Sequence, residues 1–497
     1  MGLIQLGFPS LDCNIFSLKR SSNNISSQLS QSSVAVVSHI YSVSIPTDHR
    51  RQQVIAWLWL AVSTLLIAGI FAVLLVLSRT PFISELFPFE DFFHTALVIH
   101  VNLSSLVWIL AVASALWTLN SRPIAPIIGK TVFIIVVSGV LIMTLSPLSG
   151  NVTALMSNYI PVLDDRIFLG GLLLFALGMC LQVLLSLGIM FRVGALISGE
   201  GVIRFGLSCA AIGVCLALLA FSWSYLSVPG QLAREIYYEI LFWGGGHILQ
   251  FTYTLLMMVA WLWLCSLAKL DLLLSPRVAI FLFTIGLLSI FLTPLIYMSH
   301  PATDPVHRQM FTQLMSFGGS LAVFPLGVAV MFALLNSRAN VVRESIAWNA
   351  LLTSLLLFAV GGFMGFLIDG SNVKIPAHYH GCIVGVTLSL MGVFYHLLAL
   401  LGFEKINAQW AIFQLRIYAL GQFFHILGLL WSGGYGVERK VAGAEQWLNT
   451  AERIAGMGLM GIGGMLSAIG GMLFIILIMK NLISKSAGNK LEATTSH

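Results

Sequence analysis

Twelve runs of apolar residues, each long enough to cross a hydrocarbon layer, dominate this chain. A helix needs about 20 such residues to span the roughly 30 Å core of a bilayer. The runs lie near 53–78, 92–118, 130–147, 167–191, 204–226, 236–267, 277–299, 309–336, 346–368, 378–402, 410–432 and 456–480. In lipid, backbone polar groups find partners only inside a helix or a closed barrel, and runs of this length select the helix. With 58% hydrophobic and 9% charged residues over 497 positions, the chain carries more apolar surface than a soluble core requires. The expected fold class is therefore all-α: a polytopic, multi-pass membrane protein whose twelve transmembrane helices form one bundle over residues 53–480. Short connections make neighbouring helices antiparallel. Residues 1–52 read as a polar N-terminal tail, rich in Ser and Asn and without an apolar core to fold around, hence disordered; a transit peptide shares that composition. Residues 481–497 read as a second tail.

Charge gives the orientation. Of the 25 Lys and Arg residues, 17 fall on the side of the two termini and eight on the opposite side. Acidic residues gather on that opposite side: Glu85, Glu90, Asp91, Asp164, Asp165, Asp304, Glu438 and Glu445. The positive-inside rule puts both termini in the cytoplasm, as in a bacterial inner membrane. A net charge of +6 distributed this way gives no reason to expect nucleic acid. The six cysteines form no CxxC pair, and five lie inside apolar runs, where they act as small core residues.

The motif that carries chemistry is His378-Tyr379-His380, at the outer end of the tenth run. At roughly 100° per residue, two histidines two positions apart point about 200° from each other. They cannot easily share one metal, but they can serve two cofactors on opposite sides of one helix. Imidazole is a common axial ligand of haem iron.

Other histidines supply candidate partners. Ionisable residues inside a bilayer are costly and usually functional. His100 lies inside the second run, while His94 begins it and fits an interfacial residue, so either is a candidate ligand from that helix. His247 follows Gly244-Gly245-Gly246, where missing side chains let a bulky group approach, although glycines also serve plain helix packing. His300 ends the seventh run before Pro301, and His307 follows in the loop. His396 and His425 sit deep in the tenth and eleventh runs and read as interhelical hydrogen-bonding residues. His100, His247, His300 and His378 fall at similar depths.

These residues together resemble subunit I of the haem–copper oxidases, over about residues 53–480. The likeness is nearest to the B-family (ba-type) branch. It rests on Phe242-Trp243-Gly244-Gly245-Gly246-His247, on Thr293-Pro294 through Ser299-His300 with Asp304-Pro305, and on Ala377-His378-Tyr379-His380. The resemblance implies a catalytic subunit of a terminal respiratory oxidase with two haems and a copper ion. His100 and His380 would be axial ligands of a low-spin haem, His378 the proximal ligand of a high-spin haem, and His247 and His300 ligands of the copper. Arg439 and Lys440, with a weaker assignment for Asp369, would meet the haem propionates. Electrons would come from a donor subunit or cytochrome on the outer face, since no binuclear copper motif is present. Dioxygen would be the substrate.

Two positions depart from the family. The first of its paired histidines on helix seven is Ser299 here, and the tyrosine expected four residues after His247 is Phe251. Tyr297, three residues before His300, is the candidate replacement catalytic phenol, and His307 a candidate third metal ligand. The expected consequence is a weakened, altered or missing copper site. A nitric-oxide-reducing relative and a haem-binding membrane protein without oxidase activity remain the alternative readings. Glu239, near the outer end of the sixth run, is poorly placed for proton uptake from the inside.

Overall fold

The computed structural model describes residues 40–83, 90–150, 152–191, 198–337 and 344–495. Most of the polar tail, as well as Glu85, lies outside these residues. Among them, twelve helices are long and apolar enough to span a membrane. In chain order they are α1 (Arg50–Arg79), α2 (Phe92–Leu119), α3 (Pro126–Ser149), α4 (Arg166–Ile189), α5 (Gly199–Ser227) and α6 (Arg234–Leu267). They continue as α7 (Pro276–Ser299), α8 (Pro305–Asn336), α9 (Ile346–Gly365), α10 (Lys374–Leu400), α11 (Ala408–Gly434) and α12 (Ala451–Ser484). Each corresponds to one apolar run. Consecutive helices pack as neighbours, most extensively α3 on α4, α5 on α6, α9 on α10 and α11 on α12.

The helices differ in how much of their surface the bundle covers. The most apolar stretches of α6, α10 and α2 are 94%, 78% and 72% buried, against 28% for α1 and 33% for α3 and α4. The three enclosed stretches are also the less apolar ones, because polar and ionisable side chains in a membrane bundle face its interior while lipid-facing surface stays apolar. The three enclosed helices are the ones that carry His100, His247, His378 and His380.

The connections gather at two ends. At one, Tyr41 is buried, its amide donates to Ser266 Oγ (2.7 Å) and its hydroxyl to Leu274 O (3.1 Å). Residues 40–49, assigned from sequence to the tail, thus pack on the bundle. Asn481 bonds Glu404 O (2.7 Å) at this same end. At the other end a short antiparallel hairpin, β1 (Ala154–Leu155) with β2 (Val162–Leu163), pairs Leu155 with Val162. Asn372 bridges Glu438 there, and Arg439 donates to Asn158 Oδ1 (2.6 Å). The loops thus sort by alternation, as a bundle of antiparallel spans requires.

Candidate cofactor cavity and its histidines

A cavity of about 1070 Å³ runs through the bundle, above the roughly 300–1,000 Å³ of ordinary small-molecule sites. Its walls are mostly apolar. Five imidazoles line it: His100, His247, His378, His380 and His425. Each has one ring nitrogen fixed by a backbone carbonyl. The Nδ1–H of His100 donates to Ala68 O (2.9 Å), that of His378 to Gly361 O (2.8 Å), that of His380 to Pro376 O (2.8 Å), and that of His425 to Met460 O (3.0 Å). Anchoring Nδ1 in this way sets the tautomer and leaves Nε2 as the nitrogen available to a metal, the usual arrangement of ligand histidines.

His378 and His380 face different neighbours. His378 is held by α9, where a Cβ on Gly365 would lie 2.9 Å from its ring. That carbonyl contact depends on a close crossing of α9 and α10: a Cβ on Gly381 would stand 2.5 Å from Gly361 Cα. His380 instead turns towards α11, its ring 5.0 Å from that of His425. His425 was assigned from sequence only to an interhelical hydrogen bond. That bond exists, but the ring also faces the cavity, which depends on the register of α11 against α10 and has no local sequence signal. Of the two candidates in α2, His100 lines the cavity. His94 does not: its Nε2–H donates to Lys440 O (3.0 Å). Just past His100 the helix widens into a π-turn over Asn102–Val107, a feature common at functional sites.

The end of the cavity on the side of the β1–β2 hairpin is cationic. Arg79, Arg439 and Lys440 line it, and Arg79 Nε is buried without a hydrogen-bond partner. Lys440 adopts φ 66°, a left-handed conformation that costs a non-glycine residue energy unless its surroundings hold it. Here its ammonium donates to Met156 O and meets Asn158 Oδ1 at 3.5 Å. Burial, reinforced by the Arg439 charge, pushes Lys440 down to about 8. Asp369 does not join this group. It is exposed and paired with Lys374 (2.7 Å), which together with Asn372 holds it below the usual carboxylate range.

The residues expected around copper are dispersed. His247 lines the cavity, but both its ring nitrogens are engaged: Nδ1–H donates to Trp243 O (2.8 Å), and Nε2 meets the Tyr159 hydroxyl at 2.9 Å. His300 does not line the cavity, because α7 ends at Ser299 and His300 continues in extended conformation with Nδ1 turned to Ser299 Oγ (3.1 Å). His307 is buried outside the cavity, bonded to His300 O (3.0 Å). The fully buried Phe311 packs against the rings of both His247 and His307. Tyr297 also lies outside the cavity. Its hydroxyl donates to Ala220 O (3.1 Å) and shares a hydrogen bond with Ser224 Oγ (2.8 Å). Phe251 is buried and lines no part of the cavity. Among the described residues, no three His, Cys, Asp or Glu side chains are grouped to hold a metal ion.

A large apolar cavity with carbonyl-anchored imidazoles and a cationic end, inside a twelve-helix membrane bundle, has the donors and the charge to suit planar, anionic, iron-bearing cofactors, the site of a membrane oxidoreductase. The chain belongs to the cytochrome c and quinol oxidase polypeptide I family, whose sequence model matches residues 52–473. It is 28% identical to an uncharacterised protein of Rickettsia prowazekii (strain Madrid E), over 90% of this chain and 98% of that one. It is 29% identical to an uncharacterised protein of Aquifex aeolicus (strain VF5), over 71% of this chain and 86% of the relative. Its fold matches a haem–copper terminal oxidase solved by cryo-electron microscopy as a dimer, with a TM-score of 0.66 at 17% identity, covering 88% of this chain and 84% of the other.

Family membership implies haem, and the residues present fit it. The Nε2 atoms of His100, His378, His380 and His425 have no hydrogen bond to protein, and the buried Arg79 Nε lacks the acceptor that a propionate would provide. Copper does not fit. A stable copper site needs several imidazole or thiolate donors converging on one point, and only His247 reaches the cavity from the expected set.

Proposed function

We propose that this protein is the catalytic subunit I of a respiratory oxidase, taking electrons from a donor subunit or cytochrome at the outer face and reducing dioxygen to water. The observation that carries the reading is the splayed pair on α10: His378 anchored on Gly361 O of α9, and His380 anchored on Pro376 O and turned to α11. One helix would then separate a low-spin haem, held by His380 and His100, from a high-spin haem held by His378.

Haem supplies one-electron transfer and dioxygen chemistry when bound. The protein's own residues orient and tune. The carbonyl bonds to Nδ1 of His100, His378 and His380 fix ring orientation and raise the basicity of Nε2. Arg79, Arg439 and Lys440 set positive charge at the cavity mouth, where charge-assisted hydrogen bonds would hold propionates. The apolar walls exclude water and strengthen every charge interaction inside. The excess of Lys and Arg on the side of the termini supports a bacterial inner membrane with both termini cytoplasmic. No step is assigned to copper.

A second reading has its own support. Phe251 cannot supply the proton and electron of a phenol, and Tyr159 occupies the free nitrogen of His247. These features favour a two-haem relative that acts on nitric oxide, or one that transfers electrons without reducing dioxygen.

The test is to purify the protein, measure haem, iron and copper per chain, and record reduced-minus-oxidised and carbon monoxide difference spectra. Two haems, one of them reactive with carbon monoxide, are expected. A haem-free protein sinks the proposal. Oxygen and nitric oxide consumption with a reduced donor then separates the two readings.

A further inference from the structure

We propose that Tyr159 is the polar residue that meets a diatomic ligand in this cavity, and that the Tyr159–His247 pair stands in place of the family's second metal. The inference rests on the two-haem reading above. Tyr159 sits in the loop between β1 and β2, far in sequence from every residue of the oxidase motifs.

The direction of the hydrogen bond follows from the network. A carbonyl only accepts, so Nδ1 of His247 carries a proton towards Trp243 O (2.8 Å). In the neutral ring Nε2 is then an acceptor, and the Tyr159 hydroxyl donates to it at 2.9 Å. The nitrogen that would bind a metal is therefore capped by a phenol. That phenol lines the cavity shared with His378. Rotation about the phenol C–O bond redirects the same O–H from the imidazole to a ligand carrying partial negative charge, exchanging one hydrogen bond for another with no covalent bond broken.

The loop is built to hold this position. Glu239 on α6 accepts from the Asn158 amide N–H (2.9 Å) and from its side chain. Arg439 donates to Asn158 Oδ1 (2.6 Å), and Asn102 donates to Pro161 O (2.7 Å). Residues on three separate helices and loops thus converge on positions 158–161. Gly246 leaves the space for the ring, since a Cβ there would collide with Tyr159 Cγ and Cβ. Trp243 closes another side, its ring 5.8 Å from that of Tyr159. A tyrosine serving only to satisfy a buried histidine would need the hydrogen bond, but it would leave a ligand's spectrum indifferent to the hydroxyl.

The experiment is infrared spectroscopy of the carbon monoxide adduct of the reduced, purified protein. In the wild type the C–O band is expected to move on exchange into deuterium oxide. Tyr159→Phe should shift the band towards that of an apolar pocket and abolish the isotope effect. Gly246→Ala, which forces Tyr159 off its seat, should reproduce the Tyr159→Phe band. Tyr395→Phe removes a buried hydroxyl bonded to Gln414 (3.0 Å) away from the cavity and should leave the band in place. Copper should be well below one per chain. A carbon-monoxide-reactive protein whose band ignores both deuterium and Tyr159→Phe overturns the assignment. So does one copper per chain that His247→Ala removes. A protein without a carbon-monoxide-reactive haem fails at the two-haem reading instead, a result distinguishable from either of these.

Discussion

The rings of His380 and His425 lie 5.0 Å apart, inclined at 54°, and each directs Nδ1 to a backbone carbonyl. His425 on α11 is thus a second candidate partner for His380, beside His100 on α2, which lines the same cavity. His100→Ala and His380→Ala are each expected to remove the low-spin haem spectrum and spare the carbon monoxide signal. His425→Leu should keep both haems and alter only the low-spin electron paramagnetic resonance lines. If His425→Leu instead loses the low-spin haem while His100→Ala keeps it, the axial partner of His380 is on α11.

Substituting the other histidine of the α10 motif should give the opposite pattern. His378→Ala is expected to abolish the carbon monoxide difference spectrum while the low-spin bands persist. Loss of the low-spin bands alone would mean that the roles of His378 and His380 are exchanged.

Gly381→Ala tests the crossing that positions His378. The added Cβ would stand 2.5 Å from Gly361 Cα and 2.9 Å from Gly361 N, backbone atoms that cannot rotate away. Overpacking in a core costs about 1–3 kcal/mol, and this position belongs at the upper end. Because Gly361 O is the acceptor for His378 Nδ1–H, the carbon-monoxide-reactive haem should be lost before the low-spin haem as temperature rises. Equal loss of both haems would show that the crossing supports the bundle generally and not His378 in particular.

The bundle itself was legible from sequence because lipid imposes a length and a polarity on every span. All twelve runs became helices, and the third run, despite Ser146-Pro147, became α3. The splayed histidines of α10 were legible because helical geometry is local. The distal half of the site was not. It depends on a loop from outside the spans bringing Tyr159 to His247, and no periodicity encodes such a long-range meeting. For the same reason the proximity of His300 to His247 in the family's motif did not transfer: the chain leaves α7 extended at His300, and Phe311 packs against His247 instead. Arg79 lies just past the first apolar run, and nothing in its local sequence sets it apart. Only its orphaned Nε, seen in the folded bundle, marks it as a cation awaiting an acceptor.

Glu239, set aside from sequence as a proton inlet, has a structural task. It accepts from both the backbone and the side chain of Asn158, and hydrogen bonds to charged groups contribute about 1.5–3 kcal/mol. Glu239→Gln keeps one acceptor and loses the charge, so a half-exposed site should lose about 1 kcal/mol. The expected signature is local: faster hydrogen exchange at residues 156–161 with the core amides unchanged. Uniform acceleration across the bundle would contradict an anchoring role.

Lys440 makes the cavity mouth sensitive to pH. Its folded value of about 8 lies below the ordinary 10.5, because burial and then the Arg439 charge disfavour the ammonium. Between those two values the unfolded chain holds a proton that the folded chain has released. Stability therefore rises with pH across that window, while below about 8 the full cost of burying the charge is felt. An anionic carboxylate placed beside Lys440 restores the ammonium and removes the effect. The haem-stripped protein should thus gain thermal stability from pH 8 to pH 10.5 relative to Lys440→Met, and the haem-loaded protein should show no such gain. A haem-stripped protein whose melting temperature tracks that of Lys440→Met throughout would rule out a lysine destabilised in this position, and with it the argument that the mouth is preset for propionates.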